Sequence, residues 1–261
     1  RSMKKIVIGN WKMNPRTLEE TQDIEREIEK TASKLKNIET VICPPSIYIS
    51  NLTRHGGQTS KIPNFKLGAQ DVSAEFDTGP YTGEISALML KNLGVKYVII
   101  GHSERRAMGE TDEIINKKIK AALKAGLKVI FCVGEKERDA KEHFFDFIKK
   151  EIEDGLQDVE KKFFKNIIIA YEPVWAISTG KKFRPDDPDS VFKITIFIKK
   201  TLMPLMENGA LHSIPILYGG SVTALTAREF LEKGGIQGLL VGGKSLIPEE
   251  FNRILEIADR L

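Results

Sequence analysis

The sequence predicts a closed barrel of eight parallel strands surrounded by helices, a (β/α)8 architecture, and three observations carry that prediction. Short β-branched runs alternate with longer amphipathic segments from end to end. Such runs number eight, the count a closed barrel requires. No Pro/Gly/Ser-rich linker, low-complexity tract or shift in composition divides them, so one domain over residues 3–261 is the economical reading. Because parallel strands are joined by crossovers, the alternation itself implies a parallel sheet. A doubly wound open sheet competes on strand count alone, but the barrel makes one further demand: functional residues should gather where strands run into the loops that follow them.

In chain order the predicted strands are Lys5 to Gly9, Thr40 to Cys43, Phe65 to Ala69, Tyr97 to Gly101, Lys128 to Val133, Asn166 to Tyr171, Ile214 to Tyr218 and Gly238 to Val241. The first helix is read over Leu18 to Ile38, with Thr17 and Glu20 at capping-box spacing. Another runs from Asp112 to Ala125 and stops at Gly126, while Asp187 followed by Pro188 supplies an N-cap with proline at the first helical position. Polar or unusual residues follow the strands as the barrel demands: Asn10 and Lys12, Gln70, His102 and Glu104, Glu135, Glu172, Ser221, and Gly242 with Gly243. The opposite strand ends carry mostly Lys, Asn and Gly.

Composition excludes several function classes. The net charge of +4 arises from 40 basic and 36 acidic residues spread along the chain, which gives no clustered footprint for nucleic acid. No apolar run approaches the roughly 18 residues that span a bilayer. Cys43 and Cys132 lie far apart without CxxC spacing and the four histidines are scattered, against a disulfide framework or structural zinc. The chain therefore reads as a soluble protein of the reducing cytoplasm, with Arg1 and Ser2 ahead of Met3 as a remnant of cloning.

Glu172 is the candidate base. It ends an apolar strand and is followed by Pro173, Trp175 and a small-residue segment, Ile177 to Lys181, that could fold over a site and expel water. A carboxylate dried in this way is expected to rise in pKa and become a stronger base toward a carbon-bound proton. His102, in "GHSERR" after the fourth strand, either faces a pocket or caps the structure; the residues leave both open. Ser103 has no nucleophile elbow around it. Glycines in "YGGSV" and "LLVGGKSL", after strands seven and eight, can expose backbone N–H groups to a phosphate or simply make tight turns. Gly238 to Ser245 formally fits the nucleotide P-loop pattern, but Leu239, Leu240 and Val241 read as the strand itself, so the match is rejected.

Taken in order, "GNWKMN", "GHSERR", "CVGE", "AYEPVWAI" with "TGK", "YGGSV" and "LVGG" make the chain resemble the triosephosphate isomerase family over Met3 to Leu261. That resemblance implies the TIM barrel fold and interconversion of dihydroxyacetone phosphate and D-glyceraldehyde 3-phosphate in glycolysis and gluconeogenesis, without metal or organic cofactor. It implies Glu172 as the base, His102 as the electrophile, Lys12 as a positive charge, Asn10 as a nearby donor and Glu104 as support for the charge network around Lys12. Phosphate is expected on Ser178, Ser221, Gly242 and Gly243. The long segment Asp71 to Glu84 matches the loop that inserts into a second subunit in the family, with Thr82 near the partner's site, so a homodimer is expected.

The chain departs from the family pattern at three places. Ser178 stands where glycine is usual, the segment after Arg106 is one residue shorter, and Lys244 replaces a small residue beside the phosphate glycines. Two rival readings are a phosphate-binding barrel with a Schiff-base lysine and a catalytically silent barrel that binds phosphate ligands or partners. The joint presence of Asn10, Lys12, His102 and Glu172 speaks against silence, since folding alone does not demand that set.

Overall fold

A computed structural model of the chain describes residues 4–53, 62–139, 141–177, 186–206 and 214–261. Eight strands, β1 (Lys5–Asn10), β2 (Ile38–Cys43), β3 (Phe65–Ala69), β4 (Tyr97–Ile100), β5 (Lys128–Val133), β6 (Ile167–Tyr171), β7 (Ile216–Tyr218) and β8 (Gly238–Val241), form one closed sheet in sequence order. Every pairing is parallel, from Lys5 opposite Ile38 between β1 and β2 to Ile6 opposite Gly238 where β8 closes on β1. Closure leaves no sheet edge, which removes the doubly wound alternative.

Strand alternation sorts the apolar side chains into two layers. Ile8, Val41, Cys43, Tyr97, Ile99, Ile130, Cys132, Ile168 and Leu240 fill the inside of the barrel. Their neighbours, among them Val7, Ile42, Val98, Val129, Phe131 and Ile169, point outward into the layer shared with the helices. Each such aliphatic side chain removed from water stabilises the fold by about 1.5–3 kcal/mol before entropy is set against it. Both cysteines are free and buried in the inner layer, and burial pushes each thiol well up.

The helices are α1 (Leu18–Ala32), α2 (Ser46–Leu52), α3 (Ala87–Asn92), α4 (Ser103–Ala107), α5 (Asp112–Lys124), α6 (Phe144–Gly155), α7 (Pro188–Leu202), α8 (Ala227–Lys233) and α9 (Pro248–Asp259). Thr17 caps α1 by accepting from the Glu20 amide, and Glu20 reaches back to the Arg16 N–H, one residue short of the reciprocal partner of a full capping box. Asp187 caps α7 through the Ser190 amide with Pro188 in the first turn, as its sequence predicts. Gly126, at φ 79°, ends the α5 turn in the left-handed region.

One boundary differs substantially from the sequence reading. The first helix stops at Ala32, not Ile38, and Ile38 opens β2. Leu35 and Ile38 prolong the helical spacing, but the Asp259 carboxylate takes the amides of Lys36 and Asn37 at 2.9 and 2.6 Å, turning the chain into the barrel. The remaining strand limits fall within two residues of those predicted.

Candidate active site

Among the described residues, the candidate side chains follow the carboxyl ends of the strands. After β1 the chain makes a tight excursion in which Lys12 adopts φ 54°. Asn10 Oδ1 accepts the Lys12 amide at 3.0 Å, and Gln70 Nε2, after β3, donates to the Lys12 carbonyl at 2.7 Å and to that of Cys43 at 2.9 Å. A backbone conformation disfavoured for lysine is thus held by two neighbouring side chains, a pattern found where geometry serves a site. The result puts Lys12 Nζ 2.7 Å from Glu104 Oε1.

His102 follows β4 and caps α4. Its Nδ1 accepts the Glu104 amide at 3.2 Å, and its Nε2 lies 3.0 Å from Glu172 Oε1. An amide hydrogen aimed at Nδ1 leaves no room for a proton there, so the ring is neutral with its hydrogen on Nε2, donating to Glu172. Burial is the largest influence on His102 and opposes its charged form. The adjoining Glu172 carboxylate nonetheless lifts it above the usual histidine range. The amide geometry decides the tautomer, because a doubly protonated ring would set two donors against each other.

Glu172 leaves β6 almost wholly buried, at 3% exposure. Its amide donates to the Val133 carbonyl at 2.8 Å. Gly134 packs so closely that a Cβ there would lie 2.0 Å from the Glu172 carbonyl oxygen, so only glycine fits. Beyond its contact with His102, Glu172 accepts the Ser103 amide at 3.2 Å, and the Cys132 thiol adjoins it. Burial, its largest influence, pushes the carboxylate up, but His102, the Ser103 amide and Lys12 together draw it below its ordinary range. The expectation that burial raises Glu172 therefore fails in this arrangement: the dried carboxylate is already compensated by donors.

Asn10, Lys12, His102, Glu172, Ser221 and the pair Gly242 and Gly243 line one cavity of about 250 Å3. Gly243 opens a single helical turn (Gly243–Leu246), whose first amides lack acceptors within the turn. Gly242 faces the Lys12 side chain, and a Cβ placed there would lie 3.6 Å from Lys12 Cε. The Ser221 amide is engaged with the Ala176 carbonyl at 3.1 Å. Lys244 is exposed at the rim of the same cavity. Ser178 and most of the covering segment Ile177 to Lys181 lie outside the described residues. Gly238 sits within β8, paired to β1 and β7, which agrees with rejection of the nucleotide loop.

Three contributors carried no role in the sequence reading. Glu135 accepts from Tyr171 Oη, Trp175 Nε1 and Arg138 Nε at 3.0, 2.9 and 2.8 Å, anchoring the single turn (Val174–Ala176) at the root of the covering segment. Cys132, read as packing, touches the candidate base. The Ser103 main chain, not its hydroxyl, meets Glu172. Glu135 and Gln70 were visible as polar residues at strand ends; the other two contacts leave no pattern in sequence.

The triosephosphate isomerase family model matches residues 5–258 of the chain. Triosephosphate isomerase of Natranaerobius thermophilus is 41% identical over 259 residues, covering 98% of this chain and 96% of that protein. That of Dictyoglomus thermophilum is 42% identical over 257 residues, covering 97% and 99%. Among solved structures, the crystal structure of triosephosphate isomerase from Bartonella henselae aligns with a TM-score of 0.83 at 36% identity, over 97% of this chain and 98% of that one. With the whole barrel matched and its strand-end residues assembled around one cavity, this chain belongs to the triosephosphate isomerase family.

Proposed function

We infer that the chain interconverts dihydroxyacetone phosphate and D-glyceraldehyde 3-phosphate, moving a proton between adjacent carbons. The observation that carries this reading is a buried carboxylate 3.0 Å from a neutral imidazole, in a cavity that also holds a lysine ammonium and a glycine turn. A cavity of about 250 Å3 suits a substrate of few heavy atoms.

The amides of Gly243 and Lys244 and the Ser221 hydroxyl are suited to a phosphate, with Lys12 between phosphate and carbonyl. Substrate entering between Glu172 and His102 breaks their mutual hydrogen bond. Glu172 then loses its His102 donor, the strongest of the groups that depress it, while remaining buried, so its basicity rises where the carbon-bound proton lies. As that proton moves to Glu172, the electron pair flows to the carbonyl oxygen, and His102 Nε2–H and Lys12 Nζ stabilise the enediolate oxygens. Returning the proton to the neighbouring carbon completes the isomerisation. Asn10 holds Lys12 in place, and Glu104 orients its ammonium.

We further propose a homodimer. The segment Asp71 to Glu84 projects beyond the barrel, closed at its base by the Ser73 amide on the Ile85 carbonyl. Beside it a groove of about 440 Å3 is lined by Met13, Pro45, Gln70, Glu104 and Met108, and runs to Lys12. Met13, Met108 and Ile47 are 94, 70 and 70% exposed, an apolar surface that a second copy would cover. No helix among the described residues is long and apolar enough to cross a membrane, and a cytoplasmic setting accords with the glycolytic chemistry.

A coupled assay in both directions tests the activity. Glu172→Asp withdraws the carboxylate by one methylene and is expected to lower kcat by roughly 10²-fold or more with a smaller change in KM. Turnover undiminished in Glu172→Asp, or none in the folded parent protein, would refute the assignment.

A further inference from the structure

Behind the catalytic cavity lies a second, of about 520 Å3, lined by Gly101, Arg106, Cys132, Gly134, Glu151 and Glu172. Glu151, on α6, is 2% exposed. Its Oε2 accepts the Gly134 amide at 2.8 Å, and its Oε1 lies 3.3 Å from Arg106 Nη1. Each contact leads to one half of the catalytic pair. Arg106 Nε donates to the Gly101 carbonyl at 2.8 Å, immediately before His102. Gly134 presses on the Glu172 main chain, and the preceding Val133 carbonyl accepts the Glu172 amide. One carboxylate on an outer helix therefore joins the backbones that carry the base and the imidazole.

Resting on the isomerase reading above, we propose that Glu151 is a positioning residue for the reaction, its ionised carboxylate bridging Arg106 and the Gly134 amide so that Glu172 and His102 keep their mutual register.

The charged environment makes this bridge responsive to pH. Burial is the largest influence on Glu151 and pushes its carboxyl up to about 7, against the lowering effects of Arg106 and the Gly134 amide. Asp112 and Glu172 also raise it, and the Cys132 thiol faces the same cavity, with Glu110 and Lys136 on its wall. Asp112 competes for Arg106 Nη1 at 2.6 Å, while Nη2 is buried without a partner among the described residues. Protonation leaves Glu151 a neutral acceptor for Gly134 and strips its attraction for Arg106, with Asp112 ready to draw the guanidinium away.

Glu151→Gln retains shape and an acceptor while removing the charge. The expected result is about a 10-fold lower kcat at pH 8 with KM within about twofold, and loss of a partial step near pH 7 seen in the parent's pH–rate profile. Independently of turnover, the Gly134 amide resonance in the parent should titrate with a midpoint near pH 7 and stay flat in the variant. An unchanged kcat with an unchanged pH profile, a change confined to KM, or a Gly134 amide that does not titrate in the parent would each overturn the proposal. Should Glu151→Gln fail to fold, Glu151→Asp keeps the charge but falls short of Gly134; parent-like kcat there would equally overturn it. A parent protein without isomerase activity but with the titrating Gly134 amide would sink the isomerase reading and leave the bridge standing.

Discussion

Two glutamates buried within the same region respond to acid in opposite senses. Glu172 is depressed by its donors, so the stability it contributes is present above the ordinary carboxylate range, about 4.3, and is lost as pH falls through its lowered value. Glu151 is raised, so it keeps a proton in the folded chain that the unfolded chain has released. Its ionisation reduces stability as pH rises from the ordinary range to about 7 and adds no further slope above that. Thermal unfolding across pH should therefore show the advantage of the parent over Glu172→Gln shrinking on acidification below about pH 4. The same series on Glu151→Gln should show the variant gaining on the parent as pH rises from about 4.3 to about 7. Parallel curves for the two variants would contradict these opposite shifts.

At the scale of elements, the Asp259 carboxylate at the end of α9 fixes the turn between α1 and β2 through the amides of Lys36 and Asn37. Asp259→Ala is expected to cost about 2 kcal/mol, lowering Tm by roughly 4–8 °C in a chain of this size, with kcat unchanged because the turn lies away from the substrate cavity. The same contact explains what the sequence left illegible. Strands could be read because β-branched runs such as those at β5 and β6 announce themselves locally, and the caps at Thr17 and Asp187 are local signals too. The end of α1 could not, since it is decided by a residue more than two hundred positions away. Site legibility divides likewise. Glu172, His102, Lys12 and Asn10 stand out as polar residues ending apolar runs, whereas Glu151 sits at an ordinary helical position and shows its placement only when α6 packs on the barrel.

For the molecule as a whole, the segment Asp71 to Glu84 and the groove that its own ends help to line share one surface. Asp71 at the root of the segment is held by Lys118 Nζ at 2.7 Å and Arg105 Nη2 at 3.1 Å, and both cations also bind Glu110. This ion-paired base steadies a tip whose residues from Asp77 to Glu84 are exposed. Light scattering is expected to give twice the 29.3 kDa chain mass, and replacing residues 77–83 with a short Gly/Ser turn should return the mass to that of one chain. A parent of single-chain mass at micromolar concentration would count against the dimer. The two sulfur atoms of the strand cylinder bear on a different property. Cys43, wholly buried in the inner layer, meets an alkylating reagent or an oxidant only when the staves part, so chemical wear there keeps time with the rare moments when the cylinder comes apart, whereas Cys132 also borders the cavity behind Glu172.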